Sequence, residues 1–562
     1  MTSEFVYREV AEILGVRAIV SGAPEEALSP RYWRLRSGLL VRAHDTTPIL
    51  QSELRALDAR QFICLISAIS SVRFTKPGEL RESLERSGLH RAGTFRDYQM
   101  AYALKVLLTD PLREPWSGLL PSPKDVFNAC NMVAHVLCPA DQQREPGWGW
   151  QFLQRMAYQQ FWDQEDYSSW WRGLLLAREL APALATRGFS LADAIRSVLG
   201  LPLDDFLFLG FAFFAETVAQ PGRVFGVQQF AGSRDFDIPS EAAETFLNVV
   251  SRDFTEYRAA AVDPSVTVTD YEPYNLNPLV RWPLIRLPDG NFVLPIPRLL
   301  LQRLTSGLYY DLISALTGPE AGAFGNLWGN VFQTYVGRLM QGLAGFPLVL
   351  PETKYQRNGH EVTSCDWLVR DRDLAIAIEC KTRGLSAKSR ITGSSDAIRQ
   401  DLSRPDAMGK GSTLAGGVAK LFQTRQDILG RCPGLELLHG VSDVICVLVT
   451  LDQIYLANNG AHFQGILTEE ALKFGEAGPP CPYQVTDIAG FEHLCRIVHA
   501  TDGSAALLLK EKLSTDHSRR KDFQLHFPNL LSGESLPQHP LHTSVGEKAL
   551  DELTERFRKR TG

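Results

Sequence analysis

Between Phe346 and Leu451 the apolar residues change their spacing, and the change dictates a sheet with helices against it. Three short runs, FPLVLPETKY, EVTSCDWLV and LAIAIECKT, have the length and composition of strands. AGGVAKLFQTRQDILG then carries apolar residues at helical spacing, and VSDVICVLVTL returns to a strand-like run. The order strand, strand, strand, helix, strand implies an α/β core with a mixed sheet flanked by helices. Within it, CDWLVRDRDLAIAIECKTR places Asp366, Glu379 and Lys381 near one another, the last two at the tail of an apolar run. Charges at the end of a buried strand are costly to desolvate. A metal site would account for them, and so would an exposed strand end.

Side chains alternate across a strand, so Ala375, Ala377, Glu379 and Lys381 share one face. Leu374, Ile376, Ile378 and Cys380 share the other, expected to pack on the core. With Asp371-Arg372 as a two-residue turn, Arg370 pairs with Asp373, and Asp366 falls opposite Ala377. Glu379 is then its diagonal neighbour on the same face, with roughly 7 Å between Cβ atoms. Two carboxylates so placed can reach one hard cation at about 2.1 Å from each oxygen. The expected ion is Mg²⁺ or Mn²⁺, held by Asp366, Glu379 and the main-chain carbonyl of Cys380, with waters completing the shell. Lys381 is on the right face to orient a metal-bound water, and such a water suits in-line attack on a phosphodiester.

Asp366, twelve residues, then Glu379-Cys380-Lys381 resembles the signature of the PD-(D/E)xK nuclease superfamily, the restriction-endonuclease-like fold. The resemblance covers roughly residues 325–451, about a quarter of the chain. It implies metal ligation by Asp366 and Glu379, a catalytic role for Lys381, and a supporting role for Gln423 in the helix after the hairpin. Cys365 stands where the family often has proline. Gln333, in GNLWGNVFQTYVGRLM, stands where the preceding helix often supplies a glutamate; on that helix Leu327, Trp328, Val331, Tyr335 and Leu339 form the expected core stripe. A second Glu-x-Lys, Glu352-Thr353-Lys354, follows Pro351 with no Asp in the preceding twenty residues, and so lacks the context.

Charge adds a second indication. From Lys381 to Arg431 there are ten Lys or Arg and four Asp, a local balance of +6 in a chain of net −6. Such a segment suits a phosphate backbone, with Arg383, Lys388, Arg390, Lys410 and Lys420 as expected nucleic-acid contacts. DNA is the expected partner. MGKGSTLAGG lacks the glycine spacing and preceding strand of a P-loop.

Residues 1–262 read mainly as helices, and AVDPSVTVTDYEPYNLNPLVRWP looks like a junction. PLIRLPDGNFVLPIP follows as a hairpin turning at Asp289-Gly290, then one helix from RLLLQRLTSGLYYDLISALTG. Five of the ten tryptophans fall between Trp148 and Trp171, and a packed aromatic core is expected there in preference to a base-stacking surface. FLFLGFAFFAETVA is shorter than the about 20 apolar residues of a membrane span, so a buried helix and no membrane are expected. Nine cysteines without a C-x-x-C pair fit reduced thiols and a cytoplasmic location, and the N-terminus shows no signal-peptide pattern.

The expected organisation is a helical regulatory, sensor or substrate-binding region (1–262), a nuclease domain (263–510) and a polar tail with a terminal helix (511–562). The helical region is the expected contact for a second copy or a partner protein. The layout resembles prokaryotic genome-defence effectors. Two other readings stay open from the sequence: a degenerate nuclease fold that binds DNA without cutting, and a helical scaffold whose α/β part mediates protein contacts.

Overall fold

The computed structural model describes residues 32–34, 40–42, 46–71, 96–112, 116, 118–136, 148–160, 168–185, 188–229, 239–263, 267–403, 413–460, 462–475, 477–521 and 536–561. Helices dominate, and they surround a five-stranded sheet. Helix α1 (Gly318–Met340) leads into strands β1 (Leu348–Pro351), β2 (Trp367–Asp371) and β3 (Leu374–Lys381). Helix α2 (Leu414–Leu429), strand β4 (Asp443–Thr450), strand β5 (Tyr483–Asp487) and helix α3 (Ile488–Thr501) follow. The sheet order is β5-β4-β3-β2-β1, parallel from β5 to β3 and antiparallel from β3 to β1. It is the expected mixed sheet flanked by helices.

Both faces of β3 are buried, which departs from a strand with one core face. Leu374, Ile376 and Ile378 pack in one cluster with Trp328, Val331, Tyr335 and Leu339 of α1, so the stripe expected on that helix is its buried face. Ala375 and Ala377 pack in a second cluster with Ala415, Val418 and Phe422 of α2. The two alanines leave room for a helix to lie close on the sheet. Thr413 starts that helix by accepting a hydrogen bond from the Gly416 N–H at 2.9 Å.

The β2–β3 turn is Arg372-Asp373, with Arg372 at φ 58°, and Asp371 pairs with Leu374. This is two residues out of the expected register, which preserves the faces. Two expected strands are each broken in two. Lys354–Arg357 and His360–Thr363 form a separate hairpin around Asn358-Gly359, both at positive φ. Glu352 and Asp366 lie at the breaks, where Thr353 and Ser364 hydrogen-bond each other. The helix expected after the Asp289-Gly290 hairpin is likewise two, Pro297–Leu304 and Ser306–Ala315, and α1 begins at Gly318, with Glu320 inside its first turn. The hairpin itself forms, Ile285 pairing with Val293.

Among the described residues no boundary between cores falls at 262. The cluster behind β3 also contains Trp170, Leu175, Phe206, Phe213 and Phe246 from the helical region, and Val545 and Ala549 from the terminal helix Pro540–Thr561. A buried ionic knot crosses the same boundary. Arg172 donates to both oxygens of Glu492 on α3 at 2.8 and 2.9 Å, and Tyr335 of α1 donates to Glu492 at 2.5 Å while contacting His542 Nε2 at 2.6 Å. Burial works against the Glu492 charge, but Arg172, His542 and the Tyr335 hydroxyl outweigh it and hold its pKa below the usual range. The tryptophan-rich stretch is packing: Trp170 is buried and stacks on Phe211, and buried Arg155 lies over Tyr271 and Tyr274 and donates to the Thr392 carbonyl. Among the described residues no single helix is long and apolar enough to cross a membrane. Leu191–Leu199 and Leu203–Ala219 reach that length only as a pair bent by 56°, and both contribute to the core.

Candidate active site

The Asp366, Glu379 and Lys381 side chains meet where the antiparallel strands end. In the β2–β3 ladder Leu368 faces Ala377 and Trp367 faces Ile378, so one further step sets Asp366 directly opposite Glu379, closer than the diagonal expected. β2 has not yet begun at Asp366, and its carboxylate takes the place of the missing strand: Oδ2 accepts from the Cys380 N–H at 2.7 Å. Within a strand the N–H and C=O of one residue point the same way, so the Cys380 carbonyl is also directed towards the Asp366 side.

Glu379 is 1% exposed. Its Oε1 accepts from Lys381 Nζ at 2.6 Å, and its Oε2 has no hydrogen-bond partner among the described residues. Lys420 Nζ, from α2, lies 3.8 Å from that Oε2 and donates to Glu352 Oε1 at 2.9 Å. Burial, and then the Glu379 charge, push the Asp366 carboxyl up to about 7, against the pull of Lys381, Lys420 and the Cys380 N–H. For Lys381 burial opposes the charge, yet Glu379 and Asp366 prevail and raise its pKa. The Cys365 and Cys380 thiols are pushed up by burial first and by these carboxylates next, so neither offers a thiolate.

Helix α2 presses on this cluster through Gly417. A Cβ there would lie 2.8 Å from Lys381 Cε and 3.2 Å from Glu379 Cγ. One turn on, Lys420 reaches the carboxylates, and a further turn on Thr424 Oγ1 accepts from the Cys365 N–H at 3.1 Å, tying the helix to the bend that carries Asp366.

The expected supporting residues lie apart from this cluster in the hydrogen bonds they make. Gln423 donates to Asp427, which also accepts from Tyr355; the helix face towards β3 carries Gly417, Lys420 and Thr424 instead. Gln333 is on α1, which covers the Ile376–Ile378 face, and its main-chain carbonyl accepts from the Trp367 indole at 2.8 Å.

The basic segment is largely paired within the fold. Arg390 binds Asp452 at 2.5 Å and Tyr310, Arg399 binds Glu470 and Glu469, and Arg425 binds Asp443. The acids that neutralise them lie beyond the window in which the +6 was counted. Lys388 is exposed, Arg383 is half-buried after β3, and Lys410 lies outside the described residues. Lys420, expected at a phosphate backbone, stands inside the carboxylate cluster.

Sequence reasoning missed Glu352. It belongs to the Glu-x-Lys copy that fails the motif context, yet the β1–β2 ladder, Pro351 facing Trp367, carries it one step on to a place beside Asp366. The detectable signal was Gly416-Gly417 followed by Lys420, a helix face cleared for close approach with one charge set into it.

No protein-family model, curated protein or solved structure matches the chain. The donors nonetheless suit a hard divalent cation. Two carboxylates and a main-chain carbonyl are all oxygen, and a buried carboxylate oxygen without a hydrogen bond is costly unless a cation compensates it. Among the described residues no group of three His, Cys, Asp or Glu surrounds an ion position, so waters or a substrate oxygen would complete the shell.

Proposed function

We propose that the protein is a divalent-metal-dependent nuclease that hydrolyses phosphodiester bonds, with DNA as its substrate. The observation that carries this reading is Glu379: buried, with one oxygen on Lys381 and the other without a hydrogen bond among the described residues, beside a second, half-buried carboxyl on Asp366. Mg²⁺ or Mn²⁺ bound there would supply Lewis acidity and a more acidic water. Asp366, Glu379 and the Cys380 carbonyl would hold the ion. The Cys380 N–H fixes the Asp366 carboxylate, and Gly417 lets α2 lie close against Lys381 and Glu379. Lys381 keeps its proton, since its carboxylate neighbours raise its pKa. It therefore acts as a positive charge near the reacting phosphate and not as a base.

The helical region shares its core with the sheet and is proposed to act as scaffold and substrate-facing surface without chemistry of its own. A role in prokaryotic genome defence, in the cytoplasm, rests on the analogy of a large helical module joined to such a site. The test is cleavage of plasmid and single-stranded DNA with Mg²⁺, Mn²⁺ or excess chelator. Asp366→Ala and Lys381→Ala should each abolish cutting while the protein stays folded. Full activity in either variant, or in chelator, would remove the assignment; tight binding without cutting by the wild type would make this a binding module.

A further inference from the structure

We propose that Glu352 is a third carboxylate of the site, and that the Lys420 ammonium occupies the place between Glu352 and Glu379 that a divalent cation takes, so that the cation and Lys420 exclude each other. This rests on the reading of Glu379 and Asp366 as cation ligands, and adds to it a residue that sets the affinity. Three neighbouring strands bring one carboxylate each to a single row: Glu352 after β1, Asp366 before β2 and Glu379 near the end of β3. Among them the Lys420 Nζ is 2.9 Å from Glu352 and 3.8 Å from Glu379 Oε2.

That Oε2 is the independent sign of a ligand. It belongs to a side chain 2% exposed and accepts no hydrogen bond among the described residues, although Lys420 stands near it. An ammonium at 3.8 Å compensates the charge but leaves the oxygen without a close partner. A divalent cation at roughly 2.1 Å would satisfy it fully.

The two lysines differ in their freedom to leave. Lys381 is held behind α2 and bonded to Oε1 at 2.6 Å, with a side chain 12% exposed. Lys420 is 30% exposed and Glu352 40% exposed, so both can turn outwards and back. Adding two positive charges beside two ammoniums favours expulsion of the more exposed one. Lys420 would then be free to meet a phosphate, and Glu352, released from its ion pair, would complete the cation's oxygen shell.

The experiment is a calorimetric titration of the full-length protein with Mn²⁺ alone, without nucleic acid. Lys420→Met keeps the length and helix propensity of the side chain and removes its charge. Removing a unit charge about 4 Å from a ligand oxygen should tighten Mn²⁺ binding roughly five- to tenfold. Glu352→Gln placed in the Lys420→Met background should reverse most of that gain. Glu379→Gln serves as the reference for the site itself and should abolish binding. If Lys420→Met binds Mn²⁺ no more tightly than wild type while Glu379→Gln loses it, the exclusion is wrong and the two-carboxylate site stands. If Glu352→Gln has no effect in the Lys420→Met background, Glu352 is not a ligand. If Glu379→Gln binds like the wild type, both readings fall together.

Discussion

Gly417→Ala sets two effects of opposite sign against each other at the centre of the site. In an exposed helix interior, exchanging glycine for alanine gains about 1 kcal/mol of helix propensity. At Gly417 the new methyl would lie 2.8 Å from Lys381 Cε, 3.2 Å from Glu379 Cγ and 3.3 Å from Leu448 Cδ1. Overpacking of this kind costs about 1–3 kcal/mol. The lysine is the most compliant of the three neighbours, so it moves first, and its 2.6 Å bond to Glu379 goes with it. The balance is a loss of about 0–2 kcal/mol in stability and a much larger loss at the site. Gly329→Ala on α1 isolates the favourable effect, because a Cβ there meets nothing within 4 Å among the described residues. It should raise stability by about 1 kcal/mol and leave Mn²⁺ affinity alone. Thermal melts of both variants, with Mn²⁺ titrations alongside, make the comparison. If Gly417→Ala stabilises as much as Gly329→Ala and binds Mn²⁺ like the wild type, α2 does not press on the carboxylates and the packing argument is refuted.

Charges inside the fold give two more outcomes. Asp366, raised from 3.8 to about 7, stays protonated in the folded chain after the unfolded chain has lost its proton. Its contribution is therefore full below about pH 4 and is lost as pH rises through 7, by at most roughly 4 kcal/mol. In chelator, Asp366→Asn should flatten the fall in melting temperature between pH 5 and 8, and an unchanged slope would show that this carboxyl does not titrate there. At the knot behind the sheet, Glu492→Gln leaves the buried Arg172 guanidinium without its carboxylate and should cost about 3–5 kcal/mol. Arg172→Met with Glu492→Met should recover most of that, so a double variant as unstable as the single one would show that the two residues matter independently.

What the sequence made legible was local. The alternation in LAIAIECK assigns its faces correctly, and the α1 stripe is the buried one, because both patterns follow from backbone periodicity. The Asp289-Gly290 hairpin was legible from its turn residues, with Gly290 at positive φ. Asn358-Gly359 carries an equally strong turn signal, but its two short strands run on directly from longer apolar runs, and composition does not separate them. Long-range pairing was not legible. Lys420 reads as a phosphate contact until α2 is laid on β3, and Glu352 becomes a neighbour of Asp366 only through the β1–β2 register. A charge count inside one window could not see Asp452, Glu469 and Glu470 returning from later in the chain to claim Arg390 and Arg399.

The cluster behind β3 has a consequence for how the protein comes into being. Its members run from Trp170 to Ala549, so the back of the sheet is closed by side chains synthesised far apart in time. Arg172 waits for Glu492, and Tyr335 for His542. A nascent chain on the ribosome thus cannot finish the sheet and its helices as one unit and release it while the rest is made, as separable domains would allow. Helix α1 can cover β3 early, but the cluster around them stays open until Val545 and Ala549 of Pro540–Thr561 emerge, and for that interval the unfinished chain is a natural client for chaperones and proteases.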